Sequence, residues 1–269
     1  MGFSLNYLYA AMLCFGLFLG AETSRAALIS VYEFNNTTTD SVRGAAGVGT
    51  FVGTTSYVPG MIGNGLAFNG SSYLVAPVVG GGLSALSISA WVKFNSNTSW
   101  ATIVKNWGES SSGAFHLGLD NATGKISDYI TSSGGTLTAT DSSTITTGQW
   151  YHVVTTFNGS ANRHTLYVNG VSKASVSASG TLTALGTKMS MGAKLNDSQN
   201  SPATVNTGYL NGVLDDVSFY NEELSAAQIS SLYNNGLSGI GAVPEPSAPS
   251  LLAVGLGGWA ILRRRQRTF

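Results

Sequence analysis

The clearest pattern in the chain is a period of two. From Trp150 to Phe157, Trp150, His152, Val154 and Thr156 take one parity, and Tyr151, Val153, Thr155 and Phe157 take the other. Branched and aromatic residues at that spacing predict a strand inside a sheet. His164 to Val168 alternates again, Asn169-Gly170 follows, and Val171-Ser172-Lys173 resumes. Asn-Gly between two β runs predicts a type I′ turn, whose central residues both need φ > 0. The stretch therefore holds two strands of one antiparallel sheet and the start of a third. Ser87 to Phe94 predicts a central strand, with Ile88, Ala90, Val92 and Phe94 opposed to Ser89, Trp91 and Lys93. Trp91 is expected to fill the core.

Further strands are expected at 27–34, 50–52, 65–69, 73–77, 101–105, 114–120, 125–130, 136–140 and 187–193, with a long strand pair at 208–220. Glycine and proline punctuate them. Polar loops fall at 35–49, which carries Asp40 and Arg43, at 106–113 and at 195–206. One helix is predicted over 226–235. Ser225 stands at its N-cap with Gln228 three residues on, a capping box, and Gly236 is placed to end it. Ile229, Leu232 and Tyr233 form a narrow apolar stripe suited to docking on a sheet. Many short strands with one short C-terminal helix predict an all-β sandwich of two antiparallel sheets packed face to face.

Five segments also carry a family likeness. GQWYHVVTTFNG with LYVNGV, VYEFNNTTTDSVRG, GNGLAFNGSSYLV, LSISAWVKF and GYLNGVLDDVSFYNEELSAAQISSLY occur in that order over about residues 28–235. Together they resemble the laminin-G-like, concanavalin A-like lectin/glucanase jelly roll. The resemblance implies a two-sheet jelly-roll sandwich. It also implies a structural calcium ion, because members of the family often hold one between the loop after the first strand and the closing strand. Asp40 aligns with the first of those positions and Asp215 with the second. Asn35 stands where many relatives have aspartate directly after the phenylalanine of strand one.

Composition narrows the picture. Only 10% of the residues are charged while 34 are glycine, which suits short strands joined by turns. Net charge is zero, and the arginines at 263, 264, 265 and 267 leave a slightly acidic body, so nothing argues for nucleic acid. Cys14, the single cysteine, lies in the first apolar run, so the remainder folds without disulfides.

Both ends read as addresses. Residues 5–21 form an apolar run followed by Ser24-Arg25-Ala26, predicting a signal peptide over 1–26. No Lys or Arg precedes that run. At the other end, Pro244-Glu245-Pro246 precedes an apolar run from Ala248 to Leu262 and then the arginines. That segment is shorter than the ~20 residues of a free-standing span, and arginines after it would stay on the cytoplasmic side. The tail over 241–269 resembles the PEP-CTERM sorting signal of Gram-negative bacteria. It implies recognition by an exosortase-type membrane protease, transient membrane insertion, and release at the cell envelope or into the extracellular matrix. The folded part is then 27–240.

Candidate chemistry is sparse. The resembled glucanases carry Glu-x-Asp-x-x-Glu on one strand, and this chain has no such motif. Asp215 and Asp216 are consecutive on a predicted strand, so alternation would point them to opposite faces. His152 is in phase with Trp150, and His116 and His164 have no acidic neighbour in sequence. No enzyme is expected. Carbohydrate modules stack an exposed aromatic against a sugar ring beside amides and hydroxyls. Trp100, Trp107 and Asn106 flank one predicted hairpin and Tyr129 follows on a nearby strand. These four are the candidate ligand contacts, and Asp40 and Asp215 the candidate calcium ligands. The expected function is an exported, non-catalytic module that binds polysaccharide or a matrix protein. The alternatives are a structural surface protein without a small ligand and a degenerate glycoside hydrolase.

Overall fold

The structure is a computed structural model that describes residues 27–54, 56–110, 113–183 and 186–242. The predicted signal peptide and the Pro244-Glu245-Pro246 tail lie outside the described residues. In chain order the strands are β1 (Leu28–Tyr32), β2 (Thr50–Val52), β3 (Tyr57–Pro59), β4 (Asn64–Asn69), β5 (Tyr73–Pro77), β6 (Ala85–Phe94), β7 (Thr102–Lys105) and β8 (Phe115–Leu119). They continue with β9 (Lys125–Ser132), β10 (Gly135–Thr144), β11 (Trp150–Asn158), β12 (Arg163–Val168), β13 (Val171–Val176), β14 (Lys188–Met191) and β15 (Asn211–Tyr220), before the helix α1 (Ala226–Leu237).

Sheet one runs β13-β12-β11-β6-β15-β4-β3, with β1 also on β15; sheet two runs β10-β9-β8-β7-β14-β5-β2. Every ladder is antiparallel. The expected two-sheet jelly-roll sandwich is therefore the architecture observed. At the turn between β12 and β13, Asn169 and Gly170 take φ 52° and 77°, as the sequence pattern requires.

The sheets meet over one apolar core. Leu86, Ile88, Ala90, Val92 and Phe94 of β6 and Val153 and Phe157 of β11 face Phe115, Leu117 and Leu119 of β8 and Met189 and Met191 of β14. Full burial of each large side chain contributes about 1.5–3 kcal/mol. One polar group crosses this interior. Asp128 of β9 accepts hydrogen bonds from Thr155 of β11 and from His164 of β12, at 2.8 Å for the histidine. His164 thus gains an acidic partner that its sequence neighbours do not supply.

Trp91 is buried as expected, but in a different place. It is 2% exposed but lies on the outer face of sheet one, not between the sheets. There it stacks on Tyr233 of α1 (centroids 5.7 Å apart) and lies 4.9 Å from His152. The helix that buries that face is the one predicted to dock on a sheet through Ile229, Leu232 and Tyr233; the sequence did not show that Trp91 is what it covers. The capping box forms, with Ser225 and Gln228 bonded reciprocally. Gly236 does not end the helix, which runs on to Leu237 and caps at Ser238. Gly236 instead lies against the Trp91 indole, which a Cβ there would meet at 2.5 Å.

The last pair of strands expected at 208–220 is a single strand, β15. It keeps β6 along one edge and changes partner along the other. Asn211 to Leu214 pair with β4, and Val217 to Tyr220 pair with β1. Between them the register against β6 slips, and Asp216 takes φ 48°.

Candidate functional site

Strand register builds a row of polar side chains on the outer face of sheet two. Ser190 of β14 lies opposite Lys105 of β7, Lys105 opposite His116 of β8, and His116 opposite Tyr129 of β9. Directly opposed residues share a face, and this face is the one turned away from Phe115 and Leu117. Trp100 and Trp107 flank the row from the two ends of β7. Their rings lie 5.8 and 5.7 Å from Tyr129, Trp100 lies 6.0 Å from His116, and His116 lies 5.6 Å from Tyr129. The Lys105 ammonium stands over both indoles, 5.8 Å from Trp100 and 5.5 Å from Trp107, a cation–π arrangement.

Three of the four candidate ligand contacts, Trp100, Trp107 and Tyr129, are thus brought into one half-buried cluster. Asn106 uses its side-chain oxygen within the hairpin, while its side-chain amide nitrogen is buried without a partner. It is 4% exposed, and its side-chain oxygen accepts from the Phe115 amide at 3.0 Å, tying the two ends of the β7–β8 hairpin. Trp100 holds φ 62°, a left-handed conformation uncommon for a bulky residue. Its amide donates to Asp120 and its carbonyl accepts from the Thr102 hydroxyl. Two loops border the cluster and are tied together. Ser110 donates to Asp197, and the Thr204 and Val205 amides donate to Glu109 at 2.9 and 3.0 Å.

The electrostatics of the row are unusual. Burial, with Lys194 beside it, pulls the Lys105 ammonium down to about 7. Burial and Lys105 hold His116 well below its ordinary value, so it is neutral. Lys105, His116 and Lys194 were not legible as site residues. Each is a polar residue in or beside a short apolar run; strand register brings Lys105 and His116 together, and Lys194 comes from the segment after β14.

The candidate calcium ligands have separate partners. Asp40 accepts from the Val31, Val42 and Arg43 amides through Oδ1, and from Ser30 and the Arg43 guanidinium through Oδ2. Five donors occupy a carboxylate that offers about four lone-pair positions, leaving none for a cation. Burial would raise this carboxyl, but Arg43, Ser30 and the amides more than offset it and hold it below its ordinary value. Asp40 therefore braces the loop after β1.

Asp215 lies instead in a cavity of about 170 Å³ with Asp216, Glu33, Asn35 and Ala242. Its Oδ2 accepts from the Ile62 amide at 2.8 Å, and Asp216 Oδ2 accepts from the Ala242 amide at 2.7 Å. The other oxygen of each is buried without a partner. Alternation predicted opposite faces for these two residues, but the left-handed Asp216 breaks it and both line one cavity. Burial, with Asp216 nearby, pushes Asp215 up to about 7; burial, with Glu33, pushes Asp216 up to about 6. Among the described residues no three acidic, histidine or cysteine side chains converge as a metal cage. None of their helices is long and apolar enough to cross a membrane.

Domain 4 of AbnA, a GH43 extracellular arabinanase from Geobacillus stearothermophilus solved with arabinotriose, is 23% identical with a TM-score of 0.54, covering 77% of this chain and 98% of that one. The binding domain of Paraclostridial Mosquitocidal Protein 1 is 18% identical with a TM-score of 0.60, covering 78% and 52%. A botulinum neurotoxin type C structure, whose cell entry depends on two ganglioside molecules, is 16% identical with a TM-score of 0.58, covering 78% and 51%. This chain spans about half the length of those two toxin chains. These likenesses establish the fold. No curated protein sequence matches the chain. Residues 242–266 match the PEP-CTERM protein-sorting motif. Residues 68–230 match the concanavalin A-like lectin/glucanases superfamily, and the chain belongs to that superfamily.

Proposed function

We propose that the protein is an exported, non-catalytic carbohydrate-binding module, sorted to the cell envelope by its PEP-CTERM tail through an exosortase-type protease. The observation that carries this reading is the Trp100–Trp107–Tyr129 cluster over Lys105 on the outer face of sheet two. Half-buried aromatic rings beside polar donors suit the apolar face and hydroxyls of a sugar ring. The arabinotriose complex of the similar arabinanase domain agrees with it. Extracellular polysaccharide or a glycosylated matrix protein would be the partner.

A polysaccharide pull-down with the purified chain tests this. Trp107→Ala is expected to lower retention at least tenfold while leaving the thermal midpoint within about 2 °C. Equal retention by both proteins would remove the cluster from the function.

Calcium enters as a second part of the proposal. The chemistry that best fits a hard cation is the pair of unpartnered carboxylate oxygens of Asp215 and Asp216 in their shared cavity, which no third acidic side chain joins as a cage among the described residues. Such an ion takes several oxygen ligands, so backbone carbonyls would complete the set. The role would be structural.

A further inference from the structure

The inner wall of the aromatic site is made of cations and hydrogen-bond donors. Lys105 is 5% exposed, and among the described residues no carboxylate lies within ion-pairing distance of it. The charge that acts on it most is the like-signed Lys194, itself 7% exposed. The indole N–H groups of Trp100 and Trp107 are buried without an acceptor, and the neutral His116 ring, with one N–H donor and one acceptor nitrogen, is buried without a partner at either. Buried donors left unpaired are costly. The neighbouring carboxylates do not relieve this. Glu109 receives the Thr204 and Val205 amides, Asp197 receives Ser110, and both act on Lys194. Burial first, and then the like charge of Lys194, depress the Lys105 ammonium. Trp100 is held in a left-handed backbone at this place, and such strain concentrates at binding sites.

A buried cation and several N–H donors beside aromatic faces complement a ring that bears a negative charge, because charge-assisted hydrogen bonds are the strong ones. Resting on the saccharide-binding reading above, we infer that the ligand is an acidic saccharide, whose carboxylate or sulfate group meets Lys105 and Lys194 while its ring packs on Trp107 and Tyr129. A neutral glycan satisfies the aromatic faces and leaves Lys105 without a counter-charge, whereas Lys194 already feels Glu109 and Asp197. The rest of the domain carries slightly more acid than base, so diffuse attraction does not supply the affinity.

The test measures binding of the purified chain to polygalacturonate, dextran sulfate and unmodified dextran. Both acidic polymers are expected to bind at least tenfold more tightly than dextran. Binding to polygalacturonate alone identifies the group as a carboxylate, and binding to dextran sulfate alone identifies it as a sulfate. Lys105→Gln and Lys194→Gln are each expected to weaken acidic binding about tenfold, and Lys173→Gln on sheet one to leave it unchanged. If Lys105→Gln does not fold, Lys194→Gln decides. Dextran bound as tightly as the acidic polymers, or acidic binding untouched by the substitution at Lys194, overturns the inference and leaves the saccharide reading standing. No binding to any polysaccharide, acidic or neutral, overturns both.

Discussion

His152 sits under α1 with its ring against Trp91 and Tyr233 and its Nε2 2.8 Å from the Ser89 hydroxyl. Burial pulls its pKa down to about 4, whereas in an unfolded chain it protonates near ~6.5. The folded state therefore refuses a proton that the unfolded state takes up between those values. Stability from this group is fully present above about 6.5 and is lost as pH falls toward about 4. The thermal midpoint is expected to drop over that window, and His152→Gln to flatten the drop, with neutral His116 contributing part of what remains. Identical pH profiles for the two proteins would contradict the buried, neutral assignment. Residue-scale features of this kind were half legible. The phase of His152 with Trp150 gave its face, but the apolar lid that fixes its charge state comes from residues about 80 positions later in the chain.

At the scale of elements, α1 is where local rules and tertiary packing part company. Its start was readable because a capping box needs only Ser225 and Gln228, three residues apart. Its end was misread because glycine past a helix is a strong local terminator, while Gly236 is retained within α1 for space against Trp91. Gly236→Ala is accordingly expected to push the helix off sheet one, at about 1–3 kcal/mol, the usual cost of overpacking. That corresponds to a midpoint lowered by about 2–4 °C per kcal/mol, with faster proteolysis at the helix. An unchanged midpoint would mean that the indole yields freely. The short β3 escaped prediction for a related reason. Tyr57–Pro59 is a three-residue edge strand, too brief for alternation to register. The aromatic site was legible in its loop tryptophans and illegible in Lys105 and His116, since which strands lie adjacent is a property of the sheet.

Over the whole molecule, β15 is the strand on which sheet one turns, passing from β4 to β1 at Asp215 and Asp216. A cation in that cavity would bind three separated parts of the chain: β15, the segment after β1, and the stretch following α1. Millimolar calcium is expected to raise the thermal midpoint over chelator by several degrees near pH 8, where both carboxyls are ionised, and Asp215→Asn to abolish the gain. Calcium without effect on the unsubstituted protein would remove the ion from the account. The same experiment separates Asp40, whose replacement by alanine would release Arg43 and lower the midpoint with or without calcium.

The hydrogen bond from the Ala242 amide to Asp216 knots the far end of the described polypeptide to a central strand, at the residue where the sorting motif begins. Every packing interaction described above lies at or before this knot. Scission downstream would spare all of them, so the described domain would be liberated already assembled, and the aromatic cluster proposed to meet saccharide belongs to the other sheet.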